Sequence, residues 1–356
     1  MKLKIVEVPS IAEPITRSPG FEKKLLSDYK LDLMGLCGFG CTYCSSNAGN
    51  YLRINRERFA DLTEAQLNER TYPAADPALT FTWPDVLDRL QAQIDKKPIT
   101  WGAGKTLVLS MLTDAFSPLT LADGTTERAL DMVMKGTSFR VRVLTKGAVV
   151  GSAAWIERFR RWSGRVVVGL STGTLDDDWA SRAEIGTSSP HARLGALHRL
   201  QEAGVPTFGM LCPVFPDMLE GDRLEHLVDR IRPDLVEHVW AEPYNDRLNW
   251  RAVRSGYADG SAGWRWLTSV YERGRKDLWS AYAAELYERL IAKARRDGWA
   301  HKLRFLLYED QIAAADAPRF AGLEGVLLQS KPGDDGKSAN PWIRRLRVRQ
   351  MPGVTP

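Results

Sequence analysis

The chain has 356 residues, of which 44% are hydrophobic and 26% are charged. This is the composition of a folded protein with a sizeable core, and it excludes an intrinsically disordered chain. Lys and Arg number 49 against 44 Asp and Glu, a mildly basic balance that suits a polyanionic partner without requiring one. No uncharged stretch of roughly 18 residues and no cleavable leader pattern occurs, so we expect a cytoplasmic protein whose thiols stay reduced.

Short apolar runs alternate with amphipathic stretches from residue 30 to residue 242. The runs predict strands at 30–36, 106–110, 140–145, 165–171, 206–212 and 237–242. The amphipathic stretches predict helices at 82–96, 125–135, 152–162, 190–203 and 222–231, the first of them capped by Thr82. Strands separated by helices indicate a parallel sheet with right-handed crossovers. Because eight such units close a full barrel, the predicted fold is α/β, a partial (β/α)6 TIM-like barrel over 30–245, after an N-terminal extension at 1–29.

Beyond residue 245 the alternation of apolar runs and amphipathic stretches ends, and we predict a mostly helical, basic C-terminal region at 246–356. It contains a long amphipathic helix at 276–298 and a late strand at 304–309.

The tail of this region, NPWIRRLRVRQMPG at 340–353, carries a cluster of arginines. As a strand it would place Arg345, Arg347 and Arg349 on one face. This basic ridge, together with the basic residues of 293–304, is a candidate surface for a nucleic-acid backbone. The alternative is a last strand or tail that docks on the domain and leaves its arginines solvated.

Three of the four cysteines lie in the segment LCGFGCTYCSSN at 36–47, with the spacing CxxxCxxC. An odd number, the tight spacing and the distance to Cys212 all argue against disulfides. Three thiolates can hold three irons of a 4Fe–4S cluster and leave the fourth iron open. A structural zinc site would require a fourth protein ligand. The pattern therefore favours an open iron–sulfur cluster on Cys37, Cys41 and Cys44 over a structural zinc.

Several polar residues are predicted to face the inside of such a barrel, where ligands meet the carboxyl ends of the strands. In RVRVLTK the alternation places Arg142 and Lys146 on one face, and a lysine there would offset the charge of a carboxylate. On the last strand His238, Trp240 and Glu242 share a parity, which indicates either substrate contacts or a core histidine with its hydrogen bonds satisfied.

The segment CGFGCTYC resembles the signature loop of the radical S-adenosylmethionine (SAM) enzymes. Further segments resemble the spore photoproduct lyase and DNA repair photolyase-like branch of that superfamily. These segments are ITRSPGFEKKLLSDYKLDLMGLCGFGCTYC at 15–44, LTDAFSP at 112–118, VLTKGAVV at 143–150, GLSTGTLDDDW at 169–179 and SSPHARLGALHRLQEAGVP at 188–206. The resemblance runs from about residue 11 to residue 245.

The resemblance implies that the three cysteines bind a 4Fe–4S cluster whose open iron holds the methionine part of SAM. It implies that Thr113 and Asp114 lie near the amino group of SAM, and that Lys146 and Ser171 hold its carboxylate and neighbouring groups. We add Tyr43, which precedes the last cysteine, to the cofactor-binding residues. Simpler interpretations are helix caps for Thr113 and Ser171, a turn for Asp114 and a surface position for Lys146.

The resemblance also implies a reaction. An external electron donor of flavodoxin or ferredoxin type would reduce the cluster, and SAM would be cleaved to methionine and a 5′-deoxyadenosyl radical that abstracts hydrogen from a substrate. The cofactors supply the difficult chemistry, and the protein orients SAM and keeps water away.

One position departs from the pattern of the true spore photoproduct lyases. Those enzymes have a cysteine just before the Ser/Thr–Asp pair, whereas this sequence has Met111, which has no S–H to give. Repair of thymine dimers is therefore less favoured than altered chemistry. Cys212 and Tyr244 are the candidates for returning hydrogen to a substrate radical, although parity in TFGMLC predicts that Cys212 faces outward against helices.

Three functions remain open from the sequence. The first is a radical SAM enzyme that acts on nucleic acid or a nucleoside, which the resemblance favours. The second is a radical SAM enzyme of a biosynthetic pathway that acts on a peptide or small molecule. The third is a zinc-stabilised binding protein without catalysis, which the missing fourth ligand disfavours.

Overall fold

The computed structural model describes residues 2–9, 13–44, 46, 55–72, 78–110, 112–162, 164–246, 248–320 and 322–328. Met111 and the arginine-rich tail at 340–353 lie outside the described residues, so what the sequence indicates for both stays a prediction.

Twelve strands occur in the described part of the chain. They are β1 (Lys4–Glu7), β2 (Ile15–Arg17), β3 (Tyr29–Leu31), β4 (Met34–Leu36), β5 (Leu79–Thr82), β6 (Thr106–Leu109), β7 (Arg140–Thr145), β8 (Val166–Ser171), β9 (Thr207–Val214), β10 (Val239–Pro243), β11 (Leu303–Leu307) and β12 (Val326–Leu328).

The α-helices of the same part are α1 (Pro19–Glu22), α2 (Arg56–Leu67), α3 (Val86–Asp95), α4 (Pro118–Ala122), α5 (Thr125–Gly136), α6 (Ala153–Arg161), α7 (Asp177–Ala183), α8 (Pro190–Glu202), α9 (Arg223–Ile231), α10 (Trp250–Arg254), α11 (Ala262–Leu267) and α12 (Lys276–Arg296). No helix among the described residues is both long enough and apolar enough to cross a bilayer.

The described residues divide into two compact units. The first unit contains those within Met1–Phe208 and Asp246–Gly256, and the second contains those within Gly209–Asn245 and from Tyr257 onward.

The first unit is built on a sheet in which β3, β6, β7 and β8 pair in that order and run parallel, with β2 antiparallel to β3. The β-branched run of β8 is buried along its whole length, as expected for a parallel strand covered on both faces. Helices α5 and α6 join successive strands. Parallel strands that follow chain order confirm the predicted α/β class and its TIM-like arrangement.

The first predicted strand, 30–36, is divided between two sheets. Its first part is β3 in the parallel sheet, and its last part is β4, which pairs antiparallel with β5 in a smaller sheet that also contains β1. Between them, buried Asp32 accepts a hydrogen bond from the Leu112 backbone N–H at 2.9 Å. This side-chain bond replaces a regular ladder at the break.

The helix predicted at 82–96 begins later than expected. Thr82 is the last residue of β5, and α3 begins at Val86 after Asp85 at the N-cap position. The predicted cap at Thr82 is therefore wrong. Pro84 gives the physical reason, because a residue that precedes proline is disfavoured in helical conformation and Trp83 cannot easily continue a helix from Thr82.

The second unit contains a further run of parallel pairs, in which β10 lies between β9 and β11 and β12 pairs with β11. The predicted late strand is confirmed as β11, Leu303–Leu307. The long helix predicted at 276–298 is confirmed as α12, and it buries apolar side chains that include Trp279, Leu286 and Leu290.

Candidate active site

The cysteine loop leaves β4 and folds its thiols into one buried cluster. Cys37 and Cys41 are 8% and 7% exposed, and Cys44 is half-buried. They pack with Met34, Phe39 and Tyr43, and none of them is in a disulfide. The structure therefore brings the three predicted ligands together. Within the described residues, no group of three or more Cys, His, Asp or Glu side chains has the geometry to hold a metal ion.

The chemistry of this donor set fits an iron–sulfur cluster. Burial raises the pKa of the Cys37 thiol to about 12, and the nearby Cys44 and Asp114 act in the same direction. Burial also raises the pKa of Cys41, with a further contribution from Glu184. Thiolates are the ligands of such clusters. Because the site is largely shielded from water, three thiols would ionise there only if a cationic centre offset their charge.

A short segment at 183–186, which we call the clasp, holds the cysteine loop. Thr42 N–H donates to the Ala183 carbonyl at 2.8 Å, and Gly186 N–H donates to the Phe39 carbonyl at 2.8 Å. Between these bonds Cys41 and Glu184 form an antiparallel bridge. A Cβ on Gly186 would lie 2.6 Å from the Gly38 carbonyl oxygen, so only glycine allows this approach.

Asp114 follows β6 and organises the turn after β7. Its carboxylate accepts hydrogen bonds from Thr145 Oγ1 at 2.7 Å, from Lys146 N–H at 2.8 Å and from Phe116 N–H at 2.9 Å. Burial raises the pKa of Asp114. Asp114 therefore fixes the backbone from which the Lys146 side chain projects.

Thr113, just before Asp114, has a buried hydroxyl with no hydrogen-bond partner among the described residues. Helix α4 begins after Ser117, so Thr113 is not a helix cap. A buried polar atom of this kind normally has a partner, and an unpaired one is a candidate for contact with a ligand.

Lys146 lies at the centre of a polar network and is not a surface residue, since its side chain is only 12% exposed. Its Nζ donates to Ser171 Oγ at 2.7 Å and lies 3.4 Å from Glu184 Oε1. It also lies 5.6 Å from the centre of the Tyr43 ring. Ser171 ends β8, and α7 is capped by Asp176, so Ser171 is not a helix cap either.

Two charged residues of this network, Glu184 and Arg193, were not predicted from the sequence. Arg193 is fully buried, donates to the Ser171 carbonyl at 2.6 Å and pairs with Glu184. Glu184 also accepts a hydrogen bond from Tyr43 Oη. Burial works to raise the pKa of Glu184, but Lys146 and Arg193 outweigh it and hold that pKa below its ordinary value.

A signal for Arg193 was present in the sequence. It shares a helical face with Leu197 and Leu200, four and seven residues later, and a charge on an apolar face calls for a buried partner. Glu184 follows α7 in a turn, where no periodic pattern marks it.

Cys212 and Tyr244 lie in the second unit. Cys212 Sγ lies 3.4 Å from Glu242 Oε2, and Glu242 also accepts a hydrogen bond from Tyr308. Cys212 and Glu242 therefore share a face, whereas parity predicted opposite faces. The strand register explains the shared face, because Trp240 pairs with Met210 and the residues two positions further along, Glu242 and Cys212, lie on the same side of the sheet.

Tyr244 is almost completely buried after β10. Its ring stacks on Phe215 with 4.8 Å between centroids, and its N–H is 3.0 Å from the Val214 carbonyl. Its backbone carbonyl accepts a hydrogen bond from the Trp279 indole at 2.8 Å. In the described structure these contacts give Tyr244 a packing role, and its predicted catalytic role stays a prediction.

Comparison with known proteins gives distant similarities. No family model matches the chain. An uncharacterized protein, ORF301 of Acidianus two-tailed virus, is 21% identical over 241 residues, which cover 67% of this chain and 73% of that protein.

Among solved structures, a spore photoproduct lyase mutant with bound AdoMet and dinucleoside spore photoproduct aligns at 16% identity with a TM-score of 0.43, covering 71% of this chain and 65% of that one. A tagged anSMEcpe with bound AdoMet aligns at 10% identity with a TM-score of 0.41, covering 84% and 60%. The chain thus spans just under two thirds of the lyase. The similarity to spore photoproduct lyase that the sequence predicted is found again in the structure comparison.

Proposed function

We propose that this protein is a radical SAM enzyme. The observation that carries the proposal is the CxxxCxxC loop. Its three thiols lie in one cluster, and the centre of its Tyr43 ring lies 5.6 Å from Lys146 Nζ. Cys37, Cys41 and Cys44 would hold a 4Fe–4S cluster. Bound there, the cluster and SAM would supply reductive cleavage of SAM to methionine and a 5′-deoxyadenosyl radical that abstracts hydrogen from a substrate.

The residues at the strand ends would bind the methionine part of SAM. Lys146 Nζ offers a cation and donors to a carboxylate, and Ser171 Oγ lies 2.7 Å from it. The unpaired Thr113 hydroxyl would serve the amino group as an acceptor. Asp114 supports both, because it directly follows Thr113 in the chain and accepts from the Lys146 backbone at 2.8 Å.

The surroundings of the thiols would keep water out. Cys37 and Cys41 are nearly buried, and Phe39 and Met34 pack against them. A dry site strengthens the attraction between Lys146 and a carboxylate, since the effective dielectric constant is lower there than in water.

The substrate we propose is nucleic acid or a nucleoside. Its support is the resemblance of the sequence to spore photoproduct lyase-like proteins and the basic composition of the chain, with 49 Lys and Arg against 44 Asp and Glu. The alternative is a peptide or small molecule of a biosynthetic pathway. The two are separated by offering candidate pools of deuterated substrates anaerobically and measuring deuterium in 5′-deoxyadenosine. Transfer from nucleic acid supports the proposal, and transfer from peptides alone contradicts it.

The tail gives a second test of the substrate. If Arg345 and Arg347 contact phosphates, changing either one to Ala should lower the salt dependence of DNA or RNA binding by about one unit of slope, and changing both should abolish binding. Reductive cleavage of SAM should persist in the same variant. Binding that is undetectable at low salt, or unaffected by the change, would favour the biosynthetic alternative.

The proposal includes an external electron donor of flavodoxin or ferredoxin type. The class of electron donor is tested by supplying a reduced flavodoxin in place of a chemical reductant and measuring methionine release. A protein that binds one zinc tightly and releases no methionine under either reductant would instead be the zinc-stabilised binding protein.

A further inference from the structure

Glu184 connects two parts of the candidate site that the chain supplies separately. Through its backbone it forms a bridge with Cys41 in the cysteine loop. Through its side chain it accepts a hydrogen bond from Tyr43 and lies 3.4 Å from Lys146 Nζ. One buried carboxylate, 3% exposed, therefore contacts both the loop that carries the thiols and the lysine at the end of β7.

Arg193 fixes Glu184 in this place. The guanidinium pairs with Glu184 through one nitrogen and donates to the Ser171 carbonyl at 2.6 Å through another. Ser171 in turn accepts from Lys146 at 2.7 Å. Glu184, Arg193, Ser171 and Lys146 thus close a ring of polar contacts that passes through both the backbone carbonyl and the hydroxyl of Ser171. A displacement of Glu184 must therefore move Lys146, Tyr43 or Arg193.

The ring has little freedom to rearrange. Arg193 is fully buried, so loss of Glu184 would leave a buried cation without its carboxylate. The clasp also has no spare room, because a Cβ on Gly186 would lie 2.6 Å from the Gly38 carbonyl oxygen. Movement of the cysteine loop is therefore transmitted to Glu184 and is not absorbed by the clasp.

We infer that Glu184 is a positioning residue that couples the cysteine loop to Lys146, so that ordering of the loop and binding of a carboxylate at Lys146 reinforce each other. The inference about SAM rests on the proposed function, whereas the part that concerns the loop does not. Thermodynamic linkage makes the effect reciprocal, so it is measurable from either side.

The first experiment measures the loop alone. The full-length, metal-free protein is treated anaerobically with iodoacetamide, and the labelling rate of each cysteine is read by mass spectrometry. Glu184→Gln removes the charge at nearly constant size, and we expect Cys41 to be labelled roughly tenfold faster, the scale of one charge-assisted hydrogen bond. Cys212, in the other unit, serves as the internal reference.

The matched control is Glu225→Gln. Glu225 forms a similar pair with Arg289 in the second unit, so its loss removes an Arg–Glu pair without touching the clasp. We expect the labelling rate of Cys41 to be unchanged in this variant. Tyr43→Phe is the second test variant, since it removes only the phenolic hydroxyl and keeps both partners of Arg193. It should accelerate Cys41 labelling in the same direction even if Glu184→Gln folds poorly.

The second experiment measures the coupling with SAM. Equilibrium dialysis gives the SAM dissociation constant of the cluster-loaded protein for Tyr43→Phe, Lys146→Met and the double variant. We expect the two changes to be non-additive when Glu184 is present and additive in the Glu184→Gln background. The electron paramagnetic resonance spectrum of the reduced cluster should shift on adding SAM in the wild type and shift less in Glu184→Gln.

Two results would overturn the inference. One is Cys41 labelling within twofold of the wild type in Tyr43→Phe, whatever the rate in Glu184→Gln, because loss of the Glu184 charge by itself lowers the pKa of Cys41 and speeds its labelling. The other is equal coupling between Tyr43 and Lys146 with and without Glu184. Absence of SAM binding in the wild type would instead reject the proposed function, and the labelling experiment would still decide whether Glu184 holds the loop.

Discussion

Lys146 and Ser171 lie at the ends of neighbouring parallel strands, and a hydrogen bond of 2.7 Å from Nζ to Oγ joins them. The register explains the contact, because Thr145 of β7 pairs with Leu170 of β8 and the next residues in the chain emerge side by side. Adjacent strand ends thus supply a cation and a hydroxyl at one point. In parallel α/β proteins this edge of the sheet is where ligands bind.

Lys146→Met should weaken SAM binding. Loss of a charged hydrogen-bond donor to a carboxylate costs about 1.5–3 kcal/mol, or roughly ten- to a hundredfold in the dissociation constant. The measurement is isothermal titration of the cluster-loaded protein with SAM. Lys105→Met is the control, since Lys105 pairs with Asp28 at 3.0 Å on an exposed side chain. Equal affinities in the wild type and Lys146→Met would show that Lys146 does not bind the carboxylate.

Two glycine substitutions should have opposite effects on stability. A Cβ on Gly151 would lie 2.6 Å from Ala196 Cα in α8, so Gly151→Ala should destabilise the protein by about 1–3 kcal/mol. A Cβ on Gly195, inside α8, meets only Arg199 Nη1 at 3.5 Å, so Gly195→Ala should stabilise it by about 0.5–1 kcal/mol. Urea denaturation measures both. A loss of stability in Gly195→Ala would contradict the packing of α8.

Asp217 should make stability depend on pH. It accepts a hydrogen bond from Tyr257 Oη at 2.7 Å, and burial raises its pKa above 3.8. As pH rises through 3.8 to the native pKa, the unfolded chain releases a proton that the folded protein keeps, so stability falls over this range. Asp217→Asn accepts the same bond without a charge and should lose this dependence.

The measurement is chemical denaturation of both proteins at several pH values. The stability of the Asp217→Asn variant relative to the wild type should increase as pH rises above about 4, the ordinary range for an aspartate. A difference that stays constant with pH would mean that Asp217 has an ordinary pKa in the folded protein.

Cys212 remains a candidate for returning hydrogen to a substrate radical. If it does so, Cys212→Ala should lower product yield and abolish incorporation of deuterium from solvent, since a thiol exchanges its hydrogen with water. Tyr244→Phe is the parallel variant. An unchanged yield and isotope pattern in Cys212→Ala would remove the cysteine from consideration.

The parallel sheet was well predicted because its strands are short runs rich in valine and other apolar residues. RVRVLT at 140–145 coincides with β7, and RVVVGLS at 165–171 differs from β8 only at its first residue. The break at Asp32 was missed because it depends on a hydrogen bond from Leu112, which is 80 residues away. A local pattern carries no information about such a long-range contact.

The candidate site was predicted unevenly, for a similar reason. Lys146 and Ser171 lie at strand ends, so the strand pattern predicted their positions at the edge of the sheet. The spacing of the cysteines predicted that they act together. Glu184 could not be predicted, because its role depends on contacts between the clasp and the cysteine loop. These contacts join residues more than 140 positions apart in the chain. Parity grouped Arg142 with Lys146, and the pairing of Arg142 with Val167 and of Leu144 with Gly169 agrees with this. The Arg142 guanidinium donates to the Leu26 carbonyl and lies 5.4 Å from the Phe208 ring centroid.

The most direct test of the proposed function combines iron analysis with SAM cleavage. Protein purified or reconstituted anaerobically should be brown and contain about four irons per chain, and on reduction it should convert SAM to methionine and 5′-deoxyadenosine. Cys41→Ala should lose both properties, while Cys212→Ala should keep the iron. A colourless protein that contains one tightly bound zinc and leaves SAM intact would contradict the proposal.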